Sequence, residues 1–177
     1  NFRELPMARS GSEQFAATIP PQANGKVVEF YVSVTDDQGA ARTWPSAPNN
    51  CPRLLYQVDD QVVAPGRPMQ RIILTKLERH ELAGIGRRPW HNSSDAQMSG
   101  TFINIEGGRT RVRYNVGVRL RGTTSRASTH KSRRVNFPND RPWRGHTAVN
   151  LNANHPHAQE LGSALFRLAG LPAPRAR

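Results

Sequence analysis

The residues best suited to chemistry lie between Arg109 and Arg144, where eleven Lys and Arg stand against Asp140 alone. Arginine suits phosphate because its planar fork makes two parallel hydrogen bonds and its charge does not titrate away. The spacing is ordered as well. From Thr110 to Arg121 the even positions are Thr110, Val112, Tyr114, Val116, Val118 and Leu120, and the odd ones are Arg111, Arg113, Asn115, Gly117, Arg119 and Arg121. A period of two held this long predicts a long strand, or a bent hairpin arm, with one apolar and one cationic face. Gly117 interrupts the cationic face and marks a bulge or a close backbone approach. Ser132 to Phe137 reads as a second basic strand, Val135 and Phe137 pointing one way, Arg134 and Asn136 the other. If the two strands pair, Arg119, Arg121, Lys131 and Arg134 converge, and these four are the candidate phosphate-binding residues. Arg111 and Arg113 lie further along and read as solvated charges.

Other chemistries find little support. Neither G-x-x-x-x-G-K-[ST] nor G-x-G-x-x-G occurs, and there is no G-x-S-x-G elbow. His155-Pro156-His157 with Glu160 has metal-like residue types without a further ligand set, and reads instead as the start of a helix. The carboxylates of the basic half (Glu78, Glu81, Asp95, Glu106, Asp140 and Glu160) are scattered. Phosphoryl transfer usually needs acidic groups to hold magnesium and orient the nucleophile, so no catalytic residue is assigned. Cys51 is the only cysteine, which excludes an internal disulfide and a cysteine zinc cluster. No run approaches the roughly 18 apolar residues of a membrane span.

Charge divides the chain that must position these arginines. Residues 1–60 hold five basic and seven acidic residues, whereas residues 61–177 hold twenty and six. A field concentrated this way draws anions but does not specify a fold. Hydrophobic residues make up 36% of the chain, below the roughly 45–50% of an average domain, a benchmark that also counts Gly. That composition predicts folded pieces joined by extended loops.

Residues 14–44 read as the end of a small β-sandwich. Phe15 to Ile19 is a short strand and Asn24-Gly25 a turn; Lys26 to Thr35 then alternates, with Val28, Phe30, Val32 and Val34 on one face. Asp36-Asp37-Gln38-Gly39 turns the chain into Ala41 to Trp44, a hairpin whose aspartates read as turn formers rather than calcium ligands. Pro and Asn residues from Trp44 to Pro52 mark the boundary. Leu54 to Val63 is one more strand or a loosely packed connector. Arg71 to Leu77 and Gln97 to Ile105 read as strands, Glu78 to Leu82 as the start of a short helix, Gly84 to Ser94 as a loop and Gly107-Gly108 as a hairpin turn. A final helix follows Pro156, capped by His155 or Asn154. Its apolar stripe is Ala158, Leu161, Leu165, Leu168 and Ala169, and Gly162 in mid-helix suggests close packing there. Gly170, Pro172 and Pro174 end it.

Several of these pieces together resemble the CotH kinase family, the spore-coat-protein kinase fold. They are Val116-Gly117-Val118-Arg119, Arg121-Gly122-Thr123-Thr124-Ser125, Lys131-Ser132-Arg133-Arg134-Val135-Asn136-Phe137, Val149-Asn150-Leu151-Asn152 and Leu165 to Pro174. The resemblance covers about residues 69–177. Residues 1–45 are similar, more loosely, to the end of an immunoglobulin- or fibronectin-like module, with 46–68 as linker. The fold class expected is therefore α+β: the antiparallel β-rich N-terminal part of an atypical kinase-like domain with one C-terminal helix, after a partial β-sandwich.

The resemblance implies a parent that binds ATP and Mg2+ and phosphorylates protein Ser/Thr, or a pseudokinase-type surface protein, placed outside the cell or at its surface. It implies Lys131 and Arg119 or Arg121 as phosphate contacts. The family's catalytic and metal-binding aspartates lie beyond the final helix, so this stretch alone is expected to be inactive. Rival readings are a nucleic-acid or polyanion binder and a purely structural module. Against nucleic acid, only Tyr114, Phe137 and Trp143 in the basic run could stack on bases.

Overall fold

The alternation from Thr110 to Arg121 does form one long strand, and the rest of the chain is arranged about it. The computed structural model describes residues 2–46, 53–62, 66, 68–85 and 94–174. Parts of the expected linker and of the loop after Gly84, and the whole of Cys51, lie outside the described residues. In chain order the strands are β1 (Ala8–Arg9), β2 (Phe15–Ala16), β3 (Val27–Phe30), β4 (Val32–Thr35), β5 (Ala41–Trp44), β6 (Leu54–Gln57), β7 (Met69–Ile73), β8 (Met98–Glu106), β9 (Arg109–Leu120), β10 (Arg133–Asn136) and β11 (Ala148–Leu151). Helix α1 (Lys76–Ile85) lies between β7 and β8, a 3-10 turn spans Thr124–Ala127, and α2 (Pro156–Leu168) follows β11. The fold is mixed α+β with mostly antiparallel strands. It has two helices where the sequence reading expected one at the C-terminus and only the start of another.

β7 to β11 make one five-stranded antiparallel sheet in the order β11-β10-β9-β8-β7. The β8–β9 hairpin turns on Gly107 and Gly108, both with left-handed φ (57° and 72°). A two-residue turn of this kind needs φ > 0 at both positions and matches the twist of its strands, which only glycine supplies without strain. One sheet face carries the core: Leu74, Leu82, Met98, Phe102, Val116, Val118, Leu120, Val135, Phe137 and Trp143. Phe102 is fully buried, with the rings of Phe137 and Trp143 edge-on, each at a centroid distance of 5.3 Å.

Helix α1 covers this face through Leu82 and Ile85, and its start is written in Thr75-Lys76-Leu77-Glu78. Glu78 Oε2 accepts hydrogen bonds from Thr75 N and Oγ1, both at 2.9 Å, while Thr75 Oγ1 accepts from Glu78 N at 3.2 Å. This reciprocal capping box satisfies end amides that would otherwise lack partners. Gly100 sits where strand and core meet closely. A Cβ there would lie 2.9 Å from both Ile73 O and Leu74 Cδ2.

The N-terminal part is three small ribbons, β1-β2, β3-β6 and β4-β5. The expected strand from Lys26 to Thr35 is broken at Tyr31, because β3 pairs with β6 while β4 folds back on β5. The turn between β4 and β5 is held by Asp36, whose Oδ1 accepts from Gln38 N and Ala40 N; this is the turn-forming role expected of it. β6 lies within the stretch expected to be linker. Its Leu54 and Leu55 are buried, and Thr101 Oγ1 of β8 donates to Leu55 O at 2.6 Å. Tyr114 meets Phe30 and Trp44 edge-on at 5.9 and 6.3 Å. A strand from the intended connector and a ring from the basic run thus join the two parts.

Candidate functional site: the arginine face of the sheet

The unbroken alternation of β9 conceals an extra residue. Val116 pairs with Gly100 and Arg113 with Phe102, so the single residue Thr101 is opposed by both Tyr114 and Asn115. This is a β-bulge, and Asn115 adopts φ 54° to accommodate it. Asn tolerates this left-handed geometry better than most residues. Cross-strand partners share a sheet face, so an inserted residue exchanges the two faces beyond it. Val112 and Tyr114 therefore look toward the N-terminal ribbons, whereas Val116, Val118 and Leu120 look into the α1 side of the core. The expectation of one apolar and one cationic face along the whole strand is corrected.

The arginines divide in the same way. Arg109, Arg111 and Arg113 share the face of Phe102, while Arg119 and Arg121 are on the opposite face. β10 pairs with the far half of β9, setting Arg134 directly opposite Arg119 and Asn136 opposite Gly117. Arg119, Arg121 and Arg134 are brought together on one half-exposed face, as expected. Lys131 is not with them. Its Nζ donates to Ala83 O at 3.4 Å, toward the C-terminal end of α1, where an ammonium group complements the helix dipole.

This face is organised by Asp95, which sequence reading left among the scattered carboxylates. Asp95 Oδ1 accepts from Arg119 Nη1 at 2.6 Å and from Arg126 Nη2 at 2.5 Å. Arg126 is 6% exposed and also donates to Ser94 O at 2.6 Å. The Arg126 hydrogen bond is the main reason the Asp95 carboxyl is held below the usual aspartate range; slight desolvation opposes it, and the charges of Arg119 and Arg126 add to it. The other arginines have neutral partners. Arg121 donates to Asn152 Oδ1. Arg134 Nε donates to Asn136 Oδ1 at 2.8 Å, and Asn136 Nδ2 donates to Gln97 Oε1 at 2.7 Å. Against four guanidinium groups, Asp95 is the one carboxylate that these contacts show.

The turn joining β9 to β10 serves the same face. Gly122 has φ 87°, and a Cβ there would overlap Ser125 Oγ, which itself donates to Arg121 O at 3.3 Å. This local fold delivers Arg126 to Asp95. Arg126 was missed because it falls outside both periodic strands; the Arg121-Gly122-Thr123-Thr124-Ser125 turn just before it was the available signal. Among the described residues no three His, Cys, Asp or Glu side chains are grouped to hold a metal ion. No helix of the described residues is long and apolar enough to cross a membrane.

Helix α2 also departs from expectation. Its expected stripe residues Leu161, Leu165 and Leu168 are exposed, and Ser163 is its buried residue. Nothing lies within 4 Å of a Cβ placed on Gly162, so that glycine does not mark a close approach in this structure. Comparison with family models, curated proteins and solved structures finds no match for the chain.

Proposed function

We propose that the face formed by Arg119, Arg121 and Arg134 binds the phosphates of a ligand such as ATP. In this reading the chain is part of a CotH-like protein whose parent is an atypical protein Ser/Thr kinase or a pseudokinase-type surface protein. The carrying observation is the cross-strand placement of Arg134 beside Arg119, whose own carboxylate partner Asp95 is shared with Arg126. Like charges directly opposite one another are unfavourable, and an anion between them relieves the repulsion. Asparagine partners hold the Arg121 and Arg134 guanidinium groups in place without neutralising them. The exposed leucines of α2 agree with the same reading, since a larger kinase-like domain would have further elements to cover them.

The face fits phosphates but does not fit Mg2+. Its carboxylate is already engaged by two guanidinium groups, so the metal-holding acids belong elsewhere in the parent. No transfer step is assigned to these residues, and this stretch by itself is read as binding without catalysis. The parent's protein substrate and its position at or outside the cell surface are parts of the same proposal.

Calorimetric titration of the chain with ATP and inorganic tripolyphosphate at low salt tests the proposal. Arg134→Glu together with Arg121→Glu is expected to weaken binding about tenfold or more, whereas Lys131→Glu changes it by less than about twofold. A loss per reversed charge at Lys131 as large as that of the paired arginine variant would instead indicate diffuse attraction to a basic surface. Unfolding of the arginine variants, with ligand affinity unchanged in the fraction that remains folded, would favour a purely structural network around Asp95.

A further inference from the structure

The bulge leaves a second basic surface at the Gly107-Gly108 end of β9, on the side that the phosphate reading does not use. We propose that the free edge of β9 over residues 109–112 docks an extended acidic peptide, which adds as a strand and sets its carboxylates against Arg109 and Arg111. β10 pairs only with Gly117 to Leu120. On the side away from β8, residues 109–112 therefore have no strand neighbour among the described residues.

The register shows which backbone groups that edge offers. In a two-residue hairpin the residues flanking the turn, here Glu106 and Arg109, exchange hydrogen bonds, and the pattern then alternates. Arg109 and Arg111 thus direct their backbone polar groups to β8, while Thr110 and Val112 direct theirs outward. Among the described residues the hydrogen bond at this edge agrees: Val112 O accepts from the side chain of Arg113, Nη1 at 3.1 Å, and not from a strand.

Charge selects the occupant. Arg109 and Arg111 are exposed on one face, about 6.8 Å apart by strand geometry, the repeat of alternate side chains on an extended peptide. Arg113 and Arg144 are anchored beside them on Trp143, at 5.5 and 5.4 Å from the ring centroid. Glu106, the nearby acid, is taken by Arg144. A peptide fits better than nucleic acid because the neighbouring rings are engaged: Trp143 is buried, and Tyr114 packs on Phe30 and Trp44. Charged residues also guard exposed sheet edges against pairing, so the test must separate guarding from docking.

The probe is a fluorescein-labelled octapeptide of alternating Glu and Thr, its binding to the whole chain read by anisotropy at low and high salt. Arg109→Glu with Arg111→Glu is expected to weaken binding about tenfold or more. Thr110→Pro removes an outward N–H without touching the β8 ladder, and is expected to weaken it about fivefold. Lys76→Glu with Arg79→Glu, the same charge change on exposed α1 positions, should leave binding within about twofold. The proposal is overturned if the peptide does not bind at low salt or if Thr110→Pro binds as the parent does. It is also overturned if a DNA duplex of equal charge displaces the peptide at a lower concentration than unlabelled peptide.

Discussion

The two halves of β9 have the same written pattern and opposite placements. Before Asn115 the arginines share a face with the aromatic core, Arg113 lying against Trp143, while the apolar residues turn to the N-terminal ribbons. After it the valines enter the core and the arginines meet Asp95 and Asn152. One inserted residue separates a run of arginines into two surfaces with different neighbours. Charge counted along the sequence therefore overstates what any one ligand can meet.

The comparison breaks most severely if the core that both halves share is damaged. Phe102→Ala should cost about 3–5 kcal/mol in a urea titration, whereas Leu165→Ala in exposed α2 should stay within about 0.5 kcal/mol. Similar losses at both would mean that α2 is packed in solution. The bulge is tested next. Asn115→Val should cost about 1–2 kcal/mol, because a β-branched residue resists the left-handed conformation, while Asn115→Gly should be neutral or slightly stabilising. If Val is tolerated as well as Gly, the two halves are not offset as described.

A smaller effect comes from Asp95. Its folded pKa is depressed, so its contribution to stability is present above the unfolded value and is lost as pH falls through the folded one. The gap in urea midpoint between the parent and Asp95→Asn should be open at neutral pH and close as the solution is acidified below 3.8, the ordinary aspartate value. Because the Asp95 side chain is 64% exposed, the gap should be modest and should shrink with added salt. A gap that widens in acid would contradict the assigned sign.

Much of the strand framework was legible in the sequence. The strand at β8, the alternation of β9 and β10, the Gly107-Gly108 turn and the Pro156 helix start all come from patterns that act within a few residues. The facing of Arg119 and Arg134 followed once the two basic strands were paired. The bulge was not legible, because an inserted residue leaves alternation intact in the sequence and appears only against a partner strand. Lys131 was misplaced although its signal was local: by the alternation of β10 it falls with Val135 and Phe137, on the face opposite Arg134, where its Nζ reaches Ala83 O. Asp95 was passed over because it gains its role from a long-range contact with Arg126, and the strand at Leu54 stayed one of two readings because β6 is fixed by the distant contact of Leu55 with Thr101. The capping box at Thr75 to Glu78, by contrast, was present locally and predicts the helix that formed.

The central claim is that the basic run is two surfaces, one of which, containing Arg119, Arg121 and Arg134, is the face proposed to bind phosphate. NMR titration of the arginine Nε–H and lysine Cε–Hε resonances with inorganic tripolyphosphate tests it directly. The three should shift together and saturate at one ligand concentration, with Arg109, Arg111 and Lys131 following a weaker, separate curve. A common curve for every basic residue from Arg109 to Arg144, or a site that includes Lys131 and omits Arg134, would contradict the account.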